Sequence, residues 1–435
     1  MSDAERLEIA ELTRSATASD TDDASQAIWI AEQLLERARQ LQTPQERRQQ
    51  AELDRMIGQP IDKATLVEMT DQAFRTLTPA RVADQLTHIL DLQGVPRFFS
   101  PLERTMLRGF QSFGEYLPGV AVPLVKDKMR RETANVILPA EQDMLAEHLR
   151  QRQQQGLRMN VNFLGEALLG EDDAQSRLEK YLTALRTPEI ECISVKITTI
   201  YSQVSALARE HTVRVVADRM ELLYRAAARE VFRHSDGRES SKFVYLDMEE
   251  YRDLHLTAEI LCRALSREGM DQVRAGIALQ AYVPDSYDVL LRLIDFAQQR
   301  VARGGRPLTI RLVKGANMEM ERVDASLGGW AAAPYANKRD TDANYKRMLR
   351  EMLDEKNAAA IRVGVASHNL FDISLAMLWA ARNQQLDRIQ FEMLEGMANH
   401  QRRALFEASQ SMLLYAPACR REEFLHAIGY LVRRL

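Results

Sequence analysis

A basic surplus is missing from this chain. Its 435 residues carry 58 Lys and Arg against 62 Asp and Glu, a net charge of −4. Nucleic-acid binding would call for a basic stripe, and none is visible, so that class of partner is excluded. Cysteine is scarce: Cys192, Cys262 and Cys419 stand far apart. An odd count without zinc-ligand spacing excludes a disulfide framework and a zinc ribbon, and fits a reducing compartment. No apolar run reaches the ~20 residues that span a bilayer. The acidic start Met1-Ser2-Asp3-Ala4-Glu5-Arg6 lacks the apolar core of a signal peptide. His-Glu-x-x-His, Gly-x-Ser-x-Gly, the phosphate-binding P-loop and any cluster with metal-ligand spacing are absent too, so no metal site is expected. What remains is an ordinary globular balance, 46% hydrophobic and 28% charged. That is enough for two or three domains, or for one large barrel with an extension.

The two parts of the chain differ in texture. Residues 1–155 are rich in Glu, Gln, Arg and Leu with helical periodicity. Ala24 to Met56 reads as one long helix, from Ile28, Ala31, Leu34, Leu35, Ala38 and Leu41 at spacings of three and four. Thr78-Pro79 and Ser100-Pro101 read as helix starts, and Gln93-Gly94-Val95-Pro96 and Tyr116-Leu117-Pro118-Gly119 as breaks. No strand is expected before residue 157. From Gly156 onward, short apolar runs alternate with amphipathic segments. The runs are 158–164, 192–198, 243–247, 276–282, 308–313, 361–366, 388–393 and 411–416. Eight such units in 156–435 have the size and rhythm of a (βα)8 barrel, preceded by an all-helical arm or domain over 1–155. The rival, a doubly wound open sheet, would show Gly-x-Gly-x-x-Gly after its first strand, where Phe163-Leu164-Gly165-Glu166 stands instead.

A barrel places its chemistry at the carboxyl ends of its strands. Those ends carry Lys196, Asp247, Gln280 with Tyr282, Arg311 with Lys314 and Gly315, Ser367 with His368, Glu392 with Glu395, and Tyr415. Arg311 sits inside an otherwise apolar strand, where a cation is costly unless an anion or carboxylate meets it. Lys314-Gly315 offers a charge and a backbone open to close approach. The last helical segment adds Tyr430, Arg433 and Arg434. Plain alternatives exist for each: Lys196 lying along a helix layer, Asp247 capping a helix, the two arginines on a solvated face. Taken together, the rim reads as strongly cationic, opposed only by Asp247 and the strand-seven glutamates. Adjacent arginines can clamp a small carboxylate. Two chemistries fit: redox chemistry on a carboxylate substrate with a bound organic cofactor, or a Schiff-base enzyme using Lys196 or Lys314.

The barrel part also resembles a known family, the proline dehydrogenase domain of the bifunctional flavoenzyme proline utilization A. The resemblance rests on Ser194-Val195-Lys196-Ile197, Tyr245-Leu246-Asp247-Met248-Glu249, Leu279-Gln280-Ala281-Tyr282, Ala366-Ser367-His368-Asn369 and Tyr415-Ala416-Pro417. Its most specific blocks are Arg311-Leu312-Val313-Lys314-Gly315-Ala316 and Tyr430-Leu431-Val432-Arg433-Arg434-Leu435. It implies a distorted (βα)8 barrel holding FAD non-covalently, with the last helix over the mouth. It also implies oxidation of L-proline to Δ1-pyrroline-5-carboxylate and transfer of electrons to a membrane quinone. By that resemblance Lys196, Arg433 and Arg434 form a carboxylate clamp, and Asp247, Tyr415 and Tyr430 shape the proline pocket with Leu394 as its apolar wall. Met248, Gln280, Arg311, Val313, Lys314, Gly315, Ala316, Thr341, Ser367 and His368 match flavin contacts. Arg311 would favour the reduced flavin anion. Asn317 departs from the aromatic residue that many members carry after Lys-Gly-Ala. Members continue with a Glu-Asn segment and an aldehyde dehydrogenase domain, so the chain is expected to be a piece of a longer, bifunctional protein. The expected location is cytoplasmic, with peripheral contact at the inner face of the cell membrane, and a homodimer is among the expected assemblies.

Overall fold

Parallel strands buried on both faces read as continuous apolar runs, and here eight of them close on themselves. The computed structural model describes residues 8–17, 21–57, 78–97, 101–113, 136–165 and 168–423, with short pieces between 64 and 123 and residue 427. The strands are β1 (Leu138–Pro139), β2 (Arg158–Phe163), β3 (Cys192–Lys196), β4 (Val231–Arg233), β5 (Glu239–Ser241), β6 (Phe243–Asp247), β7 (Ala275–Gln280), β8 (Leu308–Val313), β9 (Ile361–Ala366), β10 (Ile389–Leu394) and β11 (Met412–Cys419). The barrel order is β2-β3-β6-β7-β8-β9-β10-β11, every neighbour parallel, and β11 pairs back onto β2 to close it. The eight runs read from the sequence are these eight strands, with ends displaced by a few residues. Two further pieces were not expected. The two-residue β1 extends the sheet beside β11. β4 and β5 form a hairpin across Ser235-Asp236-Gly237, with Gly237 at φ +82.

The arm contributes α1 (Ile9–Thr17), α2 (Asp23–Leu41), α3 (Pro44–Ile57), α4 (Pro79–Gln93), α5 (Pro101–Phe113) and α6 (Gln142–Gln154). The single helix expected over 24–56 is two. The cause is local: Thr43-Pro44-Gln45-Glu46 is a capping box. The Thr43 N–H donates to the Glu46 carboxylate at 2.9 Å, and the Glu46 N–H donates to Thr43 Oγ1 at 3.2 Å. The starts at Pro79 and Pro101 and the stop at Gln93 stand as expected, with Gly94 closing α4 at φ +79. The break expected at 116–119 lies only partly in the described residues.

α1 and α2 share the barrel's main apolar core through Leu12, Ile30, Ala31 and Leu34. The arm latches onto two barrel helices, α7 (Leu370–Arg382) and α8 (Asn399–Ser409), through α2 and α3. Trp379 Nε1 donates to Asp23 at 2.7 Å, Arg37 pairs with Glu407 at 2.7 Å, and Arg403 with Glu46 at 2.6 Å. Against the cost of burial, Arg403 and Thr43 hold the Glu46 carboxyl down to about 2. No disulfide joins the three cysteines. Among the described residues no helix is long and apolar enough to cross a membrane.

Inside the barrel the filling is uneven. Two strand glycines make room for large side chains. A Cβ on Gly276 would lie 2.5 Å from the Tyr245 ring, and one on Gly364 would lie 2.5 Å from Glu392 Oε1 and 3.2 Å from Arg311 Cα. Gly276→Ala is therefore expected to destabilise the fold by about 1–3 kcal/mol. Urea unfolding measures this, and an unchanged midpoint would show that Tyr245 does not pack there.

Candidate active site

Arg311 is the centre from which the rim is built. β8 carries it into the barrel interior, where it is 4% exposed. Its Nη1 donates to Asp247 at 2.9 Å and its Nε to Glu392 at 2.7 Å. The guanidinium lies over the Tyr245 ring at 3.9 Å and the Tyr415 ring at 5.1 Å. Burial opposes the charge, but Glu392 and Asp247 outweigh it and hold the Arg311 pKa well above its ordinary value. The anion demanded by this buried cation is thus a pair of protein carboxylates. Asp247 in turn accepts from Ser194 Oγ at 3.1 Å and from the Tyr415 hydroxyl at 2.8 Å. Tyr245 donates to Glu392 at 2.7 Å. Below them Gln390 Nε2 donates to Glu392 at 3.2 Å, and Arg158 donates to Gln390. A polar column therefore runs from the amino end of the barrel to its rim.

The other described cations of the rim, Lys196 and Lys314, are also met by carboxylates. Lys196, in register with Asp247, meets Glu249 at 2.5 Å. Lys314 meets Asp342 and Asp372, each at 2.6 Å. Burial works against the Lys314 charge, and these two carboxylates outweigh it and raise its pKa. Asp342 lies in the second turn of the helix Lys338–Met352 and Asp372 in the first turn of α7. The backbone at Gly315 is exposed. Gly315 holds φ +114, and a Cβ there would lie 1.8 Å from the Tyr282 ring. The glycine serves the packing of Tyr282.

Several expected residues brace the loops around this centre. Gln280 Nε2 donates to the carbonyls of Met248 at 3.3 Å and Glu249 at 3.0 Å. Asn317, the departure from the aromatic pattern, donates to the Glu249 carbonyl at 2.9 Å. Ser367 Oγ accepts from the Asn369 N–H at 3.0 Å. His368 Nε2 accepts from the Leu394 N–H at 3.0 Å, which leaves the hydrogen of the neutral ring on Nδ1. Burial pushes the His368 pKa down to about 4. Its Nδ1 and the Thr341 Oγ1 are buried and have no partner among the described residues. Unpaired buried donors call for an explanation, and a bound ligand with acceptor atoms supplies one. Val313 and Ala316 flank Lys314-Gly315 and are half-buried. Tyr430, Arg433 and Arg434 lie outside the described residues.

Beside Lys196 opens a cavity of 620 Å³, lined by Thr198, Glu249, Glu250 and Asp253 among others. Asp253 is one more residue the sequence did not single out. It is 5% exposed. Burial, against Arg252 and aided by Glu250 and Glu249, pushes its pKa up to about 6. Folded protein then binds a proton that the unfolded chain binds only near pH 4, so this group costs stability as pH rises from about 4 to about 6. Asp253→Asn is expected to stabilise the protein at pH 7 by on the order of 1–3 kcal/mol, with the gain fading towards pH 4. Denaturation at both pH values checks this, and a gain independent of pH would contradict it.

Known proteins share this architecture. The family model for proline dehydrogenase matches residues 145–435. The bifunctional protein PutA of Escherichia coli is 26% identical over 310 residues, covering 66% of this chain and 22% of that protein. Proline utilization A from Corynebacterium freiburgense superposes with a TM-score of 0.66 at 38% identity, over 75% of this chain and 33% of that one. The enzyme from Bdellovibrio bacteriovorus, described as inactivated by N-propargylglycine, gives 0.75 at 25% identity, over 95% of this chain and 41% of that one. The chain thus spans about a fifth of the length of the curated relatives it first matches. A match over the whole barrel, with the rim it carries, means that this chain belongs to the proline dehydrogenase family.

Proposed function

We propose that this chain is the FAD-dependent proline dehydrogenase part of a longer bifunctional protein. It would oxidise L-proline to Δ1-pyrroline-5-carboxylate and pass the electrons to a membrane quinone, the first step of proline catabolism to glutamate. In this reading 156–435 is the catalytic barrel and 1–155 its helical arm. The protein works in the cytoplasm with peripheral contact at the membrane, and a homodimer is one assembly to test. The observation that carries the reading is the convergence of Lys196, Asp247, Arg311 and Tyr415 at one barrel mouth.

The residues present fit a flavin. The free Nδ1–H of His368 and the unpaired hydroxyl of Thr341 await acceptors or donors on a ligand. Together with Met248, Gln280, Arg311, Val313, Lys314, Gly315, Ala316 and Ser367 they would hold it. The flavin, when bound, supplies a two-electron acceptor that no side chain can replace. The protein's share is orientation. Asp247 fixes the Tyr415 hydroxyl, and with it a ring that would wall the substrate pocket beside its strand neighbour Leu394. Glu249 fixes Lys196, which with Arg433, Arg434 and Tyr430 would position the proline carboxylate. The Schiff-base alternative is weakened at Lys314, because an ammonium held by two carboxylates is a poor nucleophile.

Purified protein is expected to show flavin absorption that bleaches on anaerobic addition of L-proline, and to lose activity with N-propargylglycine. A colourless preparation that borohydride traps with a carbonyl substrate would overturn the reading. Arg434→Met is expected to raise the KM for proline about tenfold or more, because a charged hydrogen bond is worth about 1.5–3 kcal/mol. Steady-state kinetics measures it, and an unchanged KM would remove Arg434 from the clamp.

A further inference from the structure

The amino-terminal mouth of the barrel, opposite the rim, holds a second concentration of charge. A cavity of 560 Å³ opens there, within the size range of small-molecule sites. Six arginines line it: Arg158, Arg238, Arg274, Arg306, Arg362 and Arg388. Only one lining residue, Asp387, is a carboxylate. The mouth of a barrel away from its active site is normally a place of stabilising pairs. Part of this cluster obeys that rule. Arg158 grips Glu191, and Arg238 pairs with Asp236 at 2.6 Å.

The remainder is not neutralised. Arg274 hydrogen-bonds Ser240 Oγ at 2.8 Å and the Ser241 carbonyl at 2.6 Å, and reaches Glu191 only at 3.9 Å. Arg362 donates to the Ala358 carbonyl at 3.2 Å. Arg388 is 5% exposed, and its Nε and Nη2 are spent on the carbonyls of Met352, Asn357 and Ile361. Its Nη1 is buried and has no partner among the described residues. Arg306, Arg362 and Arg388 form no ion pair with any described residue. Carbonyl and hydroxyl oxygens satisfy hydrogen bonds but cancel no charge. The crowding is felt: burial, with Arg158 and Arg306, holds the Arg274 pKa below its ordinary value despite Glu191, and burial with Arg362 does the same at Arg388.

Guanidinium groups supplied by separate segments around one cavity, with an unspent buried N–H, make a receptor for a multiply charged anion. We propose that this cavity binds a compact polyanion bearing phosphate groups or several carboxylates. One negative charge would leave most of the cluster uncompensated, so a ligand with at least two is required. The site lies at the end of the barrel opposite the rim.

Calorimetric titration of the purified full chain with pyrophosphate and with citrate, at ionic strength matched by NaCl, tests this. Saturable binding of at least one probe is expected, and the tighter of the two tells phosphate from carboxylate chemistry. Arg306→Ala and Arg362→Ala, chosen because neither side chain forms an ion pair with a described residue, are each expected to weaken it about tenfold. Their unfolding midpoints should stay unchanged. Absence of saturable binding by both probes would overturn the proposal. So would wild-type affinity in both variants, which would place the anion elsewhere.

Discussion

A guanidinium inside a barrel is the constraint to which the rest of this structure answers. Removing one such ion from water costs several kcal/mol even after relaxation. Arg311 recovers that cost only because Asp247 from β6 and Glu392 from β10 reach it, with the rings of Tyr245 and Tyr415 beside it. Strands on opposite walls must therefore keep their register to within a hydrogen bond. Gly276 and Gly364 belong to the same arrangement, because any side chain at either would occupy the space of Tyr245 or Glu392. The interior is thus specified by polar geometry, while the outer layer between strands and helices is ordinary apolar packing.

From that centre the functional rim inherits its order. Asp247 hands its second oxygen to Tyr415, and its strand neighbour Lys196 is tied to Glu249. Glu249 is itself steadied through its carbonyl by Gln280 and Asn317. Among the described residues Lys196, Arg311 and Lys314 at this end are each already paired. An incoming carboxylate then gains less from bare Coulomb attraction than from finding its donors in place, which is preorganisation rather than electrostatic pull.

Much of this was legible in the amino-acid order. Eight apolar runs separated by helical segments gave the barrel, because strands buried on both faces leave unbroken hydrophobic stretches. Arg311 announced a partner, because a cation in such a run must have one. The identity of that partner was not legible. Glu392 lies 81 residues away, and Asp342 and Asp372 read as ordinary acids on helices until the fold brings them to Lys314. Asp253 was hidden for the same reason, sitting at the start of a helix where an acid is unremarked. The hairpin β4–β5 carried a readable signal in Asp236-Gly237, and the break between α2 and α3 another in Thr43-Pro44-Gln45-Glu46. Both were masked by the stronger periodicity of the helices beside them.

One contact outside the barrel bears on where this fold can be divided. Glu395, one residue past β10, is wholly buried, and its charge is answered by Arg152 and His148 from α6. Against burial, those two groups hold its pKa below the ordinary range. Cutting the chain at the first barrel strand would strip both of those partners from that carboxylate. The smallest autonomous unit therefore begins upstream of α6, and any circular permutation or domain graft must carry that helix along.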